Sequence, residues 1–256
     1  MTSHDRFCQL ASESFVILPS LLACDFAHLE HEIHKVEEAG CQALHLDIMD
    51  GQFVPNLSFG VPVVEAIRRS TELVLDVHLM LAQPQDYFAA FRKAGADALT
   101  FHIEAVADQL APGRNFAHEG LSVAQAGAIP ALEATTRQYL RQIHELGAAN
   151  GLSLNPPSEI ETLAPWLDAC DNVLVMGVMP GFGGQKFYPN SLEKLRWLRE
   201  HAPETLLRSV DGGVNSSTVC DCKNAGAVGL IMGTAIYDSH DASATFRKTT
   251  ALLENG

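Results

Sequence analysis

Residues 73–103, LVLDVHLMLAQPQDYFAAFRKAGADALTFHI, decide the fold. An apolar run at Leu73–His78 is followed by Gln85–Ala94, which has the period of an amphipathic helix, and then by a second apolar run at Ala98–Ile103. Gly95 stands where this helix would end. A strand, a helix and a strand in this order predict a βαβ unit, whose two strands lie parallel in one sheet.

The same alternation continues in both directions from this unit. The other predicted strands are Phe15–Leu18, Ala43–Ile48, Leu152–Leu154, Asn172–Met176, Thr205–Val210 and Val228–Met232. The other predicted helices are Phe26–Ala39, Val61–Arg69, Ala131–Ala148, Ser191–His201 and Ser216–Ala225. Eight strands, in a chain of 256 residues, predict an α/β protein with a single (β/α)8 TIM barrel over residues 15–256. The competing architecture, a doubly wound open sheet, rarely contains eight such regular units.

Two segments fall outside this rhythm. Residues 1–14 form a polar N-terminal extension. Residues 105–130, AVADQLAPGRNFAHEGLSVAQAGAIP, form an insertion that predicts an extended loop after strand 4. A connection of this length is usually functional or disordered. We expect it on the same face as the functional site, where a lid, an oligomer contact and a mobile surface loop are the alternatives.

Charge and composition exclude several classes of partner. The formal net charge is −14, with 31 acidic and 17 basic residues and no basic cluster, so we expect no nucleic acid and no anionic membrane as a partner. No stretch approaches the roughly 18 apolar residues of a membrane span, and residues 1–14 lack an apolar signal core. We therefore expect a soluble, cytoplasmic protein.

The cysteines do not have the spacing of a paired framework, and we expect small buried thiols in a reducing compartment. They are Cys8, Cys24, Cys41, Cys170, Cys220 and Cys222.

Polar groups that could bind a metal ion stand at the ends of three predicted strands. His45 and Asp47 share one face of the second strand because side chains alternate along a strand, His78 ends the third, and Asp211 follows the seventh. The C-terminal strand ends of a barrel meet at one face, so these groups are expected to converge. Imidazole and carboxylate ligands predict one divalent ion, with Zn²⁺, Fe²⁺, Co²⁺ and Mn²⁺ left open.

Two further polar residues lie close to this predicted metal site. Asp76 occupies the same strand face as His78 and is expected to support a ligand rather than to bind the ion itself. His102 ends the fourth strand and is expected to border the site.

Glycine clusters follow the last three strands and predict a phosphate site. They are PGFGGQ at Pro180–Gln185, DGG at Asp211–Gly213 and GTA at Gly233–Ala235. Glycine lets backbone N–H groups approach an anion closely, and barrels commonly bind phosphate at these loops. Thr234 would begin a short helix whose positive dipole end favours an anion.

Several of these motifs together resemble the ribulose-phosphate 3-epimerase family. The similarity runs from about Pro19 to Tyr237. The matching strings are PSLLACDFAHLE, HLDIMDGQFVPNLSFG, DVHLM, FHIEA, PGFGGQKF, DGGV and GTAIY.

The resemblance implies a metal-dependent epimerase that interconverts D-ribulose 5-phosphate and D-xylulose 5-phosphate by proton transfer at C3 through a metal-stabilised ene-diolate. It implies one divalent metal ion, a phosphosugar substrate and a homo-oligomer. Asp47 and Asp211 would be the catalytic acid/base pair, and His45, Asp47, His78 and Asp211 the metal ligands. The residues implied to contact the substrate are Ser20, Met49, His78, Met80 and Met176. Those implied to hold the phosphate are Gly181, Phe182, Gly183, Gly184, Gly212, Gly213, Gly233 and Thr234.

The chain also departs from the family pattern. Gly177 stands where Ser or Thr is usual, Met179 where a polar residue is usual, and Thr234 where Ser is more usual; LNPPSE differs from the common LNPxTP. Gly177 and the insertion leave open an epimerase of a six-carbon ketose phosphate. A non-catalytic phosphosugar-binding barrel and a metallohydrolase are the alternatives from other functional classes.

Overall fold

Eight parallel strands follow one another around a barrel in the computed structural model, which describes residues 2–255. The strands are β1 (Val16–Pro19), β2 (Ala43–Met49), β3 (Val74–Met80), β4 (Ala98–His102), β5 (Ala149–Leu154), β6 (Asn172–Met176), β7 (Leu207–Asp211) and β8 (Gly229–Met232). Each strand pairs with its neighbour in chain order, and β1 also pairs with β8. A bridge between Ser20 and His45 brings β1 against β2, so the barrel is confirmed and the open sheet is wrong.

Helices cover the outside of this barrel. They are α1 (Ser3–Cys8), α2 (Leu29–Glu37), α3 (Val61–Ser70), α4 (Phe88–Ala94), α5 (Ile103–Leu110), α6 (Phe116–Glu119), α7 (Val123–Ala128), α8 (Leu132–Glu145), α9 (Asn190–His201), α10 (Val219–Ala225), α11 (Thr234–Tyr237) and α12 (Ala242–Asn255). Short 3₁₀ helices occupy Gln9–Ser12, Leu21–Ala23, Phe26–His28, Pro84–Asp86 and Ile160–Trp166. No helix between residues 2 and 255 is long and apolar enough to cross a bilayer.

The alternation of side chains along β2 separates the core into two layers. Leu44, Leu46 and Ile48 face outward and pack in one apolar cluster with helix residues such as Ile67 of α3. His45, Asp47 and the other odd-numbered residues therefore face the barrel interior. Because β2 and β3 are parallel and Asp47 lies opposite His78, the inward polar groups of the two strands are adjacent.

The N-terminal segment, which its sequence describes only as polar, packs beneath the barrel. Phe7 of α1 and Leu10 are buried in the same cluster as Leu18, which lines the interior. Arg6 donates from Nη2 to Asp97 Oδ1 at 2.7 Å, and the Asp97 side chain is fully buried. Residues 3–12 thus close the N-terminal end of the barrel.

Replacing Phe7 by Ala is expected to destabilise the protein by about 3–5 kcal/mol, the usual cost of removing a buried phenyl ring. Phe7 has no exposed surface, whereas 47% of Phe26 is exposed, so Phe26→Ala is the matched control and should cost far less. Urea unfolding of both variants measures the difference. Equal losses in the two variants would contradict the packing of α1 beneath the barrel.

The long connection after β4 contains three short helices, α5 to α7, which its glycine and proline content did not predict. Phe116 and Leu121 are buried, and the Phe116 N–H donates to Asp108 Oδ1 at 2.7 Å. Asn155 Nδ2 donates to the Ala117 carbonyl at 2.6 Å, which joins the segment to the loop after β5. Residues 105–107, 116–117 and 120–121 of this connection are buried, and the rest are partly or fully exposed.

All six cysteines are free thiols. Cys24, Cys41 and Cys222 are buried, as predicted, whereas Cys8, Cys170 and Cys220 are only partly buried.

Candidate active site

Four side chains from three strands meet at the C-terminal end of the barrel. One ligand atom from each of His45, Asp47, His78 and Asp211 lies within 4.8 Å of the others. His45 and His78 have no exposed surface, and Asp47 is 3% exposed. The convergence predicted from the strand ends is therefore present.

The buried carboxylate of Asp76 orients His45. Asp76 Oδ2 lies 2.8 Å from His45 Nδ1, so this nitrogen carries the proton and donates. His45 Nε2 lies 3.3 Å from Asp47 Oδ1 without hydrogen-bond geometry. Burial lowers the pKa of His45, but the Asp47 and Asp76 carboxylates outweigh it and raise the pKa well above its usual value. Asp76 is a supporting residue, as the sequence predicts, and not one of the four converging groups.

A second row of buried groups orients His78. Its Nε2 lies 2.8 Å from His102 Nε2, and His102 Nδ1 lies 3.4 Å from Glu104 Oε2. Burial raises the pKa of Glu104, but His102, Ser158 and the Asn155 N–H outweigh it and lower the pKa overall, so Glu104 accepts as a carboxylate. His102 therefore donates to Glu104 and accepts from His78, which leaves the His78 Nδ1 lone pair facing Asp47 Oδ1 at 3.1 Å.

These orientations fit a divalent ion. Nitrogen atoms of two imidazoles face the same carboxylate oxygen at 3.3 and 3.1 Å. The site favours a positive charge here, which is a proton on His45 or a divalent ion that replaces this proton when it binds. Ligand atoms around a tetrahedral zinc ion with bonds of about 2.0–2.1 Å lie about 3.3 Å apart, which matches these separations. Burial lowers the pKa of His78 to about 4, so its imidazole is neutral and able to bind a metal.

The two aspartates of the group have opposite electrostatic environments. Burial raises the pKa of Asp47, but His45 and His78 outweigh it and hold the pKa well below its usual range. Burial and the nearby Asp47 carboxylate raise the pKa of Asp211. One carboxyl group is thus stabilised as the anion, and the other, with a pKa of about 7, takes up and releases a proton near neutral pH, the pattern of an acid/base pair.

A cavity of about 550 Å³ opens onto these two aspartates. Ser20 lines it and donates from Oγ to Asp47 Oδ2 at 2.7 Å. Met49, Met80 and Met176 form an apolar part of its wall. The histidines of the group are not among the lining residues, so substrate contact by His78 stays a prediction.

The glycine loops after β6, β7 and β8 surround the other part of the cavity. All eight residues predicted to hold a phosphate line it: Gly181, Phe182, Gly183, Gly184, Gly212, Gly213, Gly233 and Thr234. Asn56 Nδ2 donates to the Gly181 carbonyl at 2.6 Å and connects the first of these loops to the loop after β2. Gly213 has φ +70°, and a Cβ there would lie 2.8 Å from the Phe187 backbone nitrogen, so this position requires glycine.

Comparison with known proteins agrees with this geometry. The profile of the Ribulose-phosphate 3 epimerase family matches residues 16–126 and 129–237. The ribulose-phosphate 3-epimerase of Synechocystis is 39% identical over 231 residues, covering 89% of this chain and 90% of that protein. The Bacillus subtilis ribulose-phosphate 3-epimerase is 40% identical, covering 88% and 93%. The chain belongs to the ribulose-phosphate 3-epimerase family. It is therefore an enzyme of carbohydrate metabolism and an epimerase.

More distant solved structures share the fold of this epimerase. The 3-hexulose-6-phosphate synthase of Salmonella typhimurium superposes with a TM-score of 0.64 at 17% identity, covering 94% of this chain and 99% of that one. KGPDC from Streptococcus mutans gives a TM-score of 0.66 at 14% identity, covering 95% and 99%.

Two charged residues near His102, Glu104 and Lys194, were not identified from the sequence. Glu104 has no exposed surface and accepts from the Asn155 N–H at 2.7 Å and from the Ser158 hydroxyl. Lys194 Nζ donates to the carbonyls of Asn155 and Pro156 at 3.0 and 2.8 Å. The available signal was the short spacing from His102 to Glu104 in FHIE, which places a carboxylate beside a histidine at a strand end.

Replacing Glu104 by Gln is expected to weaken metal binding by about 10–100-fold, the usual effect of removing a group that orients a ligand histidine. The change retains size but removes the negative charge that keeps His102, and through it His78, in the required tautomer. Competition with a chromophoric chelator measures the metal affinity. Glu119→Gln, an exposed change in the same segment, is the control. An unchanged affinity in Glu104→Gln would contradict this positioning role.

Proposed function

We propose that this epimerase interconverts D-ribulose 5-phosphate and D-xylulose 5-phosphate by moving the proton at C3. The family membership supports the reaction class, and the observation that carries the mechanism is the pair of aspartates at the cavity. Asp47 and Asp211 line the same cavity and have pKa values shifted in opposite directions. Inversion of a carbon centre by proton transfer needs one group to remove the proton and another to deliver one on the opposite face.

The protonation states assign the first step. Asp47, as the anion, removes the C3 proton from the epimer whose C3 hydrogen faces Asp47. Asp211, in its acid form, then delivers a proton to the opposite face of the ene-diolate. Asp47 then carries the proton that C3 lost, and Asp211 is the anion, which is the starting state for the reverse direction. Ser20 holds Asp47 Oδ2 in place throughout.

His45, Asp47, His78 and Asp211 would hold the divalent ion. A bound ion supplies positive charge beside the substrate oxygens, on which negative charge develops when the proton leaves. Asp76 and His102 fix the orientations of His45 and His78, and His45 would release a proton when the ion binds. The three methionines exclude water from the reacting carbons while adapting to either epimer.

The substrate phosphate would bind in the glycine loops. Those loops line the part of the cavity formed after β6, β7 and β8, and α11 begins there at Thr234. The first N–H groups of a helix have no partner within it, so they are available to phosphate oxygens. No lysine or arginine is among the described residues that line the cavity, so backbone groups supply the binding.

Replacing Gly213 by Ala is expected to raise the KM for the sugar phosphate by about tenfold or more, because forcing a side chain into this left-handed, crowded position costs about 1–3 kcal/mol and moves the loop. Gly147→Ala is the matched control, since Gly147 also has positive φ but does not line the cavity and has no close neighbour. Steady-state kinetics of both variants give the result. A rise in KM in both, or in neither, would argue against the phosphate site.

Two features of the structure support a five-carbon rather than a six-carbon substrate. Gly177 does not line the cavity, and a Cβ at this residue would meet the Gly212 carbonyl oxygen and the Phe187 ring. No residue of 105–130, all of which the structure describes, lines the cavity either. Neither feature therefore enlarges the space available to a substrate.

Proton NMR of D-ribulose 5-phosphate with the metal-loaded protein in D₂O tests the proposal. Formation of xylulose 5-phosphate with deuterium at C3 is the expected result. A folded, metal-loaded protein that gives neither product nor exchange would overturn the proposed substrate, and release of inorganic phosphate would indicate a hydrolase.

A further inference from the structure

A second group of metal-ligating side chains lies at the opposite end of the barrel from the active site. His4 and Cys8 stand four residues apart on α1 and so share one face of that helix. His144 is in the last turn of α8, before β5, and Asp171 immediately precedes β6. Three separate elements therefore bring these four side chains to the N-terminal end of the barrel.

The distances place three of these four groups, His4, His144 and Asp171, within reach of one ion, and Cys8 lies beside them. One ligand atom from each of His4, His144 and Asp171 lies within 4.8 Å of the others. His4 Nε2 is 3.2 Å from Asp171 Oδ2 and 3.6 Å from Cys8 Sγ. Cys8 is not within 4.8 Å of all three other groups, so its side chain would turn towards the ion to become the fourth ligand. Around a tetrahedral zinc ion, two N or O ligands lie about 3.3 Å apart and an N and an S ligand about 3.6 Å apart, given the usual bond lengths.

The aspartate of this group is held in position before any ion binds. The Asn150 N–H donates to Asp171 Oδ2 at 3.0 Å, and the Asp171 N–H donates to Asn150 Oδ1 at 3.1 Å. Such reciprocal bonds fix a ligand carboxylate in the way that structural metal sites require. The His4 and Asp171 side chains are 27% and 22% exposed, so an ion can enter from solvent.

The donor chemistry selects the class of ion. A thiolate and a carboxylate together neutralise a divalent cation, and two imidazoles complete four ligands of the borderline type that Zn²⁺ and Co²⁺ prefer over Mg²⁺ or Ca²⁺.

We propose that His4, Cys8, His144 and Asp171 form a second, structural site for a divalent transition metal such as Zn²⁺. The ion joins α1 to the C-terminal end of α8 and to Asp171, which precedes β6. It thereby holds α1, whose Phe7 closes the barrel, in place. The site is separate from the active-site group, which contains no sulfur ligand. Its presence does not depend on the proposed substrate or mechanism.

This difference in ligands provides a selective readout. Co²⁺ bound by a thiolate gives a near-ultraviolet charge-transfer band, whereas Co²⁺ held only by histidine and aspartate does not. Metal-depleted full-length protein titrated with Co²⁺ is expected to bind two equivalents per chain, one of them with this band. Cys8→Ser should abolish the band, and His144→Gln should weaken that equivalent by at least tenfold, while each variant still binds the other equivalent.

Controls keep the outcome decisive. Cys220→Ser, also partly buried, and His240→Gln, exposed like His144, should leave both equivalents unchanged. Zn²⁺ should raise the unfolding temperature of the wild type by more than that of Cys8→Ser, and epimerase turnover of saturated Cys8→Ser should stay within twofold of wild type. A single equivalent without the band, or a band that survives Cys8→Ser, would overturn the second site.

Discussion

Replacing Asp211 by Asn is expected to lower kcat by about 10²–10⁴-fold, the usual contribution of a positioned acid or base. Asn has the size of Asp but can neither deliver nor accept the C3 proton. Asp211 lines the cavity beside Asp47, and burial together with the Asp47 charge raises its pKa, so its acid form is the one removed. Asp221→Asn, an exposed change on α10, should retain wild-type turnover.

Solvent exchange separates this role from a loss of structure. Each aspartate removes the C3 hydrogen from one of the two epimers. Asp211→Asn retains Asp47, so it should still exchange the C3 hydrogen of the epimer whose hydrogen faces Asp47. Incubation of each epimer with the variant in D₂O, followed by NMR, gives the answer. Exchange lost equally from both epimers would indicate a collapsed site, and turnover near the wild-type rate would make the acid/base assignment of Asp211 wrong.

The repeated strand and helix pattern was sufficient to predict the barrel, because each βα unit has a local signal. The convergence of His45, Asp47, His78 and Asp211 followed from the same pattern, since all parallel strands end at one face of a barrel. Strand bounds differed by a few residues. β5, for example, begins at Ala149 rather than Leu152 because the residues before Leu152 pair with β4.

The features that the sequence did not predict depend on contacts between distant segments. Phe7 and Leu10 are buried against residues from several strands at the N-terminal end of the barrel. The periodicity of a single segment cannot predict such a contact. The helix Ile103–Leu110 was not predicted: Ile103 was assigned to the end of the fourth strand, and residues 105–110 to a loop because Pro112 and Gly113 follow them closely. Glu104 acquires its role only when β4 and the loop after β5 meet, where Asn155 and Ser158 donate to it.

Removal of the divalent ion from the active site is expected to lower kcat/KM by at least about 10³-fold, since a cation contributes several kcal/mol to stabilising negative charge that develops on substrate oxygens. Stability should fall as well. An ion present at 100 times its dissociation constant stabilises the folded state by about 2.7 kcal/mol, which corresponds to about 5–10 °C in Tm for a domain of this size. Chelator treatment, metal analysis and kinetics on the same sample measure both effects.

Re-addition distinguishes the ion's role from damage by the chelator. Zn²⁺, Fe²⁺, Co²⁺ or Mn²⁺ should restore turnover, because imidazole and carboxylate ligands suit these ions, whereas Ca²⁺ should not. Performing the experiment on Cys8→Ser as well as on the wild type separates the effect of the active-site ion from that of any ion bound by α1.

Because His45 Nε2 is buried without a hydrogen-bond partner, His45→Gln should lose activity that added metal does not restore at concentrations sufficient for the wild type. Full turnover at a metal content far below one ion per chain would contradict the metal dependence and leave the two aspartates to act alone.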